Sequence, residues 1–74
     1  MSALRTQINE KRAILRDLYG GMMTLTDLSK ELGMRPEEAK VWAFAVGVGS
    51  RIGKRVKYET DEVARIIVNG RGMY

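Results

Sequence analysis

The stretch Thr24–Trp42, TLTDLSKELGMRPEEAKVW, restricts this chain more than any other. Thr24 followed three residues later by Asp27 is a capping-box-like helix start, with aspartate where glutamate or glutamine is more usual. Met23, just ahead of the cap, can staple the entry. Leu25, Leu28 and Leu32 fall at i, i+3 and i+7 on one face, and Gly33 follows at once, so a short helix is expected over 25–32. Arg35-Pro36-Glu37-Glu38 opens a second helix. Proline suits the first helical position because its missing N–H has no partner there, and the glutamates favour the positive end of the helix dipole. Arg35 stands at the cap without the short oxygen-bearing side chain preferred there. Gly47-Val48-Gly49 ends the helix. Two helices joined by a tight glycine-containing turn therefore form the centre of the chain.

The second helix has two unlike faces. Ala39, Trp42, Ala43 and Val46 share one, and Glu37, Lys40, Val41 and Phe44 the other. Trp42 is the expected core anchor, since the alanines beside it allow close helix packing. Val41 and Phe44 are then left facing outward.

Before this centre, residues 3–19 lack glycine and proline and space Leu4, Ile8, Leu15, Leu18 and Tyr19 as one apolar stripe. Lys11 interrupts the stripe, and its stem can lie along the apolar surface. Ser2 can cap the start, and Gly20-Gly21 ends the helix. This helix is expected to pack as the first of a three-helix core; a dimer contact is the alternative. After the centre, Ser50–Tyr58 reads as a hairpin. A two-residue turn at Gly53-Lys54 would mix apolar and charged residues on each face. A three-residue loop, Gly53-Lys54-Arg55, pairs Ile52 with Val56 and Arg51 with Lys57, giving one apolar and one basic face, and is the register expected. Thr60 then caps a last helix with Asp61 and Glu62 in its first turn and Val63, Ile66 and Ile67 on its apolar face. Asn69-Gly70 closes it, and Arg71–Tyr74 is expected to fray.

With 74 residues, a single domain with one modest core is expected. Its parts are 1–21, a supporting helix; 23–46, the two-helix centre; 50–58, the hairpin; and 60–69, the closing helix. There is no cysteine and no histidine. That excludes a disulfide framework and the usual zinc ligands, and the carboxylates show no ligand spacing, so no metal is expected. No apolar run approaches the ~18 residues of a membrane span. Charged residues stand where a signal peptide would be apolar, so a soluble cytoplasmic protein is expected. An enzyme is the poorest reading. No nucleophile–base set, phosphate-cradling loop or carboxylate pair across a cleft appears, and no cofactor is expected. The net charge is +4, concentrated toward the ends, above all in Arg51, Lys54, Arg55 and Lys57. Such a cluster is either an ordinary solvated surface or a nucleic-acid face.

With these elements in place, the stretch from Met23 to about Asn69 resembles the MerR-like winged-helix fold, most closely its small excisionase-type members. The resemblance rests on the Met23-Thr24 entry, Glu31-Leu32-Gly33, Trp42 nine residues further on, the hairpin Arg51–Tyr58 and the helix Thr60–Val68. It implies a mainly α winged helix-turn-helix with a small β-hairpin. It also implies a second helix in the major groove of double-stranded DNA and a wing along the backbone. Arg35, Lys40, Val41 and Phe44 would then face the groove, Lys54 and Arg55 would form the wing tip, and Arg51 and Lys57 its flank. Trp42, Ile52, Val56 and Tyr58 would be core or near-core. Family members of this type bend DNA, often in tandem, to direct recombination by an integrase. The implied role is an excisionase-like architectural factor or a small transcriptional regulator of a phage or mobile element, with a homodimer or tandem assembly on DNA. The sequence departs from the family at Arg35, usually serine or threonine, and at Glu37 and Glu38, usually polar. Acidic residues are rewarded in a groove chiefly by cytosine amino groups. The outward Val41 and Phe44 keep a second reading open: a protein-interaction module on the same scaffold, for self-assembly or for binding an integrase or host protein.

Overall fold

The computed structural model describes residues 3–70. Ser2 as a cap and Arg71–Tyr74 as a frayed tail lie outside them. The element order is α1 (Ala3–Tyr19), β1 (Met22–Met23), α2 (Leu25–Leu32), α3 (Pro36–Val46), β2 (Ser50–Ile52), β3 (Arg55–Glu59) and α4 (Thr60–Asn69). The protein is mainly helical, with a small antiparallel three-stranded sheet in the order β1-β3-β2.

Local chemistry accounts for the helix ends. Thr24 and Asp27 close the capping box in both directions: the Asp27 N–H donates to Thr24 Oγ1, and the Thr24 N–H to Asp27 Oδ2, each at 3.1 Å. At the far end of α2, Gly33 takes a left-handed conformation (φ 67°), and the Met34 N–H donates to the Ser29 carbonyl at 3.0 Å. The same arrangement ends α3, where Gly47 has φ 79° and the Val48 N–H donates to the Ala43 carbonyl at 2.9 Å. In both, the bond back over the last turn satisfies a carbonyl that the helix leaves without a partner. Val48 and Ala43 are both buried, supplying the apolar contact that accompanies such a cap. At the start of α3, the Arg35 N–H donates to Glu38 Oε1 at 3.1 Å. Glu38 thus does the capping that the Arg35 side chain cannot.

The core gathers Leu15, Met23, Leu28, Ala39, Ala43, Val48, Tyr58, Val63 and Ala64, one or two from almost every element. Four expectations are corrected here. Trp42 is only half-buried against this cluster, while Ala39 and Ala43 are its fully enclosed α3 members, so close approach of the helices leaves no room for the indole at the centre. On α1, Leu15 is the buried stripe residue; Leu4 and Leu18 are exposed and Ile8 and Tyr19 half-buried. Thr60 is not the cap of α4 but its first residue, with Glu59 at the cap. Buried Thr60 donates from Oγ1 to the Gly20 carbonyl at 2.7 Å and from its N–H to the Gly21 carbonyl at 3.1 Å, tying the end of α1 to the start of α4. Lastly, Met22–Met23 forms a strand on β3, pairing Met23 with Tyr58, where only a helix staple was expected.

The hairpin register differs as well. The pairs are Ser50–Lys57, Arg51–Val56 and Ile52–Arg55, around a two-residue Gly53-Lys54 turn. Gly53 has φ 64° and Lys54 a negative φ, the sign pattern of a turn with glycine in the first central position. The expected three-residue loop assumed that one hairpin face is buried and selects the register. Near the tip neither face is: Ile52 is 53% exposed and Val56 45%. Without burial to enforce matching faces, turn chemistry decides. Ile52 and Val56 are accordingly surface residues rather than core, and Arg51 lies on the opposite face from Arg55 and Lys57.

Candidate nucleic-acid interface

Lys40, Lys54, Arg55 and Lys57 converge around one open hollow of about 360 Å³, completed by Thr24 and Thr26. Three elements build it. The turn at Gly53 carries Lys54 and Arg55 to the end of the β2–β3 hairpin. The β1–β3 pairing holds the base of the hairpin against the start of α2. The capped turns of α2 and α3 set Lys40 on the outward side of α3, since Ala39 and Ala43 press the opposite side into the core. Thr24, Leu25 and Thr26 bring the start of α2, with the positive end of its dipole, to the same hollow. The combination of a helix start and several cations suits phosphate oxygens.

Ion pairing separates these cations from Lys11, Arg12 and Arg16. Arg16 Nη1 contacts both oxygens of Asp61 at 3.0 Å, and Arg12 Nη2 reaches Oδ2 at 3.3 Å. These arginines, Arg16 first, hold the Asp61 carboxyl below its ordinary range against an opposing effect of burial. Lys11 Nζ pairs with Glu31 Oε2 at 3.0 Å, and the Tyr19 hydroxyl donates to Glu31 Oε1 at 3.2 Å. Burial, then the Glu31 charge, raises the Tyr19 pKa. Among the described residues, Lys40, Arg51, Lys54, Arg55 and Lys57 have no carboxylate partner. Their charge is available to a ligand.

A second groove, of about 620 Å³, runs between α3 and the hairpin. Val41, Phe44, Val48, Val56 and Tyr58 line it, with Lys40 and Arg51 at its edge. Phe44 is 90% exposed and Val41 69%, so the apolar residues expected to face outward on α3 do so. Lys40 borders both the cationic hollow and this groove. Arg51, expected beside Lys57, is instead brought to the Val41–Phe44 side by the shorter turn. Arg35 is exposed at the start of α3, away from both.

Sequence reasoning missed the contribution of α2's first turn and of Thr24 and Thr26. The capping box marked where α2 begins, but only the pairing of β1 with β3 turns that end toward the hairpin. Among the described residues, no group of three or more acidic, histidine or cysteine side chains could hold a metal ion, and no helix is long and apolar enough to cross a membrane. No family model, curated protein or solved structure matches the chain. The chemistry of the surface must therefore carry the functional reading.

Proposed function

We propose that the protein is a winged helix-turn-helix that binds double-stranded DNA, as an excisionase-like architectural factor or small transcriptional regulator of a phage or mobile element. One observation carries this reading: Lys40, Lys54, Arg55 and Lys57, all without carboxylate partners among the described residues, surround the first turn of α2. In this reading α2 and α3 are the helix-turn-helix and β2–β3 the wing. Phosphate contacts from the wing, Lys40 and the start of α2 supply most of the affinity and set the register. Val41 and Phe44 meet thymine methyl groups in the major groove, and Arg35 and Arg51 extend the contact at either end of α3.

The test is titration of duplex DNA at several salt concentrations. Binding should weaken steeply as salt rises. Absence of any complex at low salt and high micromolar protein would remove the DNA reading. A specific observation favours a second reading, a protein-interaction module with little base readout: Phe44 is 90% exposed on the same helix whose first turn carries Glu37, whose charge opposes a phosphate surface. The same titration separates the two.

A further inference from the structure

The cationic hollow and the apolar groove form one continuous surface. Lys40, Val56 and Tyr58 line both, and among the described residues no carboxylate lines either. Glu37 and Glu38 edge a separate hollow beyond Val41. The surface therefore runs from a positive end, at Lys54, Arg55 and Lys57, to an apolar end at Phe44 and Val41, where Arg51 adds a further cation. An occupant that matches it carries several negative charges and, next to them, an uncovered apolar face. A nucleotide with an unpaired base has that composition. In a duplex the base faces are covered by stacking, and only phosphates, sugars and base edges are presented.

We propose that this surface also holds a single strand of DNA, with phosphates in the hollow and one unpaired base stacked on Phe44. Proteins that hold single strands combine a positive groove that tracks the backbone with an aromatic ring on which a base stacks. Phe44 stands almost fully exposed, so its ring is open to such a partner. The groove is larger than the hollow, about 620 against 360 Å³, in keeping with a base in the first and a phosphate in the second. Lys40, shared by both, is placed to pair with the phosphate of the stacked nucleotide. Lys40, Arg51, Lys54, Arg55 and Lys57 all lie along this surface without carboxylate partners among the described residues. Such a row favours a backbone with a charge at every unit over a peptide with scattered carboxylates. The inference rests on the phosphate-binding part of the duplex reading, and adds a substrate in which Phe44 meets a ring face instead of a methyl group.

Fluorescence anisotropy of the whole chain with labelled strands, at one fixed salt concentration, tests the proposal. Oligothymidylate should bind about tenfold more tightly than an abasic deoxyribose-phosphate strand of the same length and charge, the difference that one base–aromatic stack makes. Phe44→Leu should remove that advantage, and Phe44→Trp should keep it. Circular dichroism checks that both variants are folded. Duplex affinity should move by less than about twofold in Phe44→Leu, because leucine meets a thymine methyl much as phenylalanine does. Equal binding of the thymidylate and abasic strands, or an unaltered advantage in Phe44→Leu, would overturn the inference. So would tighter binding of oligouridylate than of oligothymidylate, or displacement of the strand by an equimolar acidic peptide containing phenylalanine. Duplex binding that persists through any of these leaves the duplex reading standing. Single-strand binding without duplex binding would remove that reading alone.

Discussion

The α1–α4 side and the α3–hairpin side use the same basic residue types for opposite ends. On the first, Lys11, Arg12 and Arg16 are taken up by Glu31 and Asp61 across helix interfaces. On the second, Lys40, Arg51, Lys54, Arg55 and Lys57 face outward, without carboxylate partners among the described residues. The apolar residues divide in parallel: Leu15 is fully buried under α1, whereas Val41 and Phe44 stand out from α3. A basic side chain therefore says little about partners until its nearest carboxylate is known. One side of the molecule holds itself together, and the other is left to hold something else.

Substitutions that act on only one side break or sharpen this contrast. The largest effect is expected from Leu15→Ala, which empties a fully buried site between α1 and the core. It should lower stability by about 2–5 kcal/mol in urea unfolding, while duplex affinity, measured where the protein remains folded, changes little. Replacing Lys54 and Arg55 together by alanine should do the reverse. Unfolding should hardly change. Removing two phosphate contacts should flatten the slope of log affinity against log salt by about 2 and weaken binding tens-fold near 0.1 M salt, on the order of 2 kcal/mol. Unchanged DNA affinity in that variant would take the hairpin out of the interface.

A smaller effect is expected at Gly53, where φ is 64°. Gly53→Ala should cost about 1 kcal/mol through left-handed strain. The loss should appear as weakened β2–β3 pairing in amide exchange, because the hairpin tip has little burial to oppose it. If the Ser50–Lys57 pairing stays equally protected, the two-residue turn is not what holds the register.

The smallest effect belongs to Asp61, whose side chain is 35% exposed. Asp61→Asn should cost under about 1 kcal/mol at neutral pH, as partly exposed ion pairs do. Its sign with pH is definite. The folded pKa lies below the ordinary aspartate value of 3.8, so the stabilisation is present above that value and lost as pH falls through the folded pKa. The variant should show a shallower acid-side loss of stability than the wild type. An identical acid limb in both would show that Arg12 and Arg16 do not stabilise the carboxylate.

Much of the fold was legible because its signals are local. The α2 and α3 boundaries expected over 25–32 and 36–46 are those observed, since the Thr24/Asp27 box, Gly33, Pro36 and Gly47 act within a turn of where they stand. The candidate site was legible in part. The outward Val41 and Phe44 follow from helical periodicity, and Lys54 and Arg55 reach the hairpin end in either register. The register itself was misread, because face matching presupposes burial that the hairpin tip does not have. Trp42 was misread as the anchor because the alanines beside it were expected to make room for it, whereas Ala39 and Ala43 are themselves the enclosed residues and Trp42 is only half-buried against the cluster.

By itself, then, the sequence determined where the helices start and stop, which α3 residues oppose one another, and that the hairpin is basic. These depend on hydrogen bonds and periodicities spanning a few residues. Tertiary structure alone decided which cations are neutralised, that the start of α2 faces Lys40 and the hairpin, and that Arg51 lies with Phe44 rather than Lys57. Each of these depends on residues distant in the chain being brought within a few ångströms, and no local pattern encodes that distance.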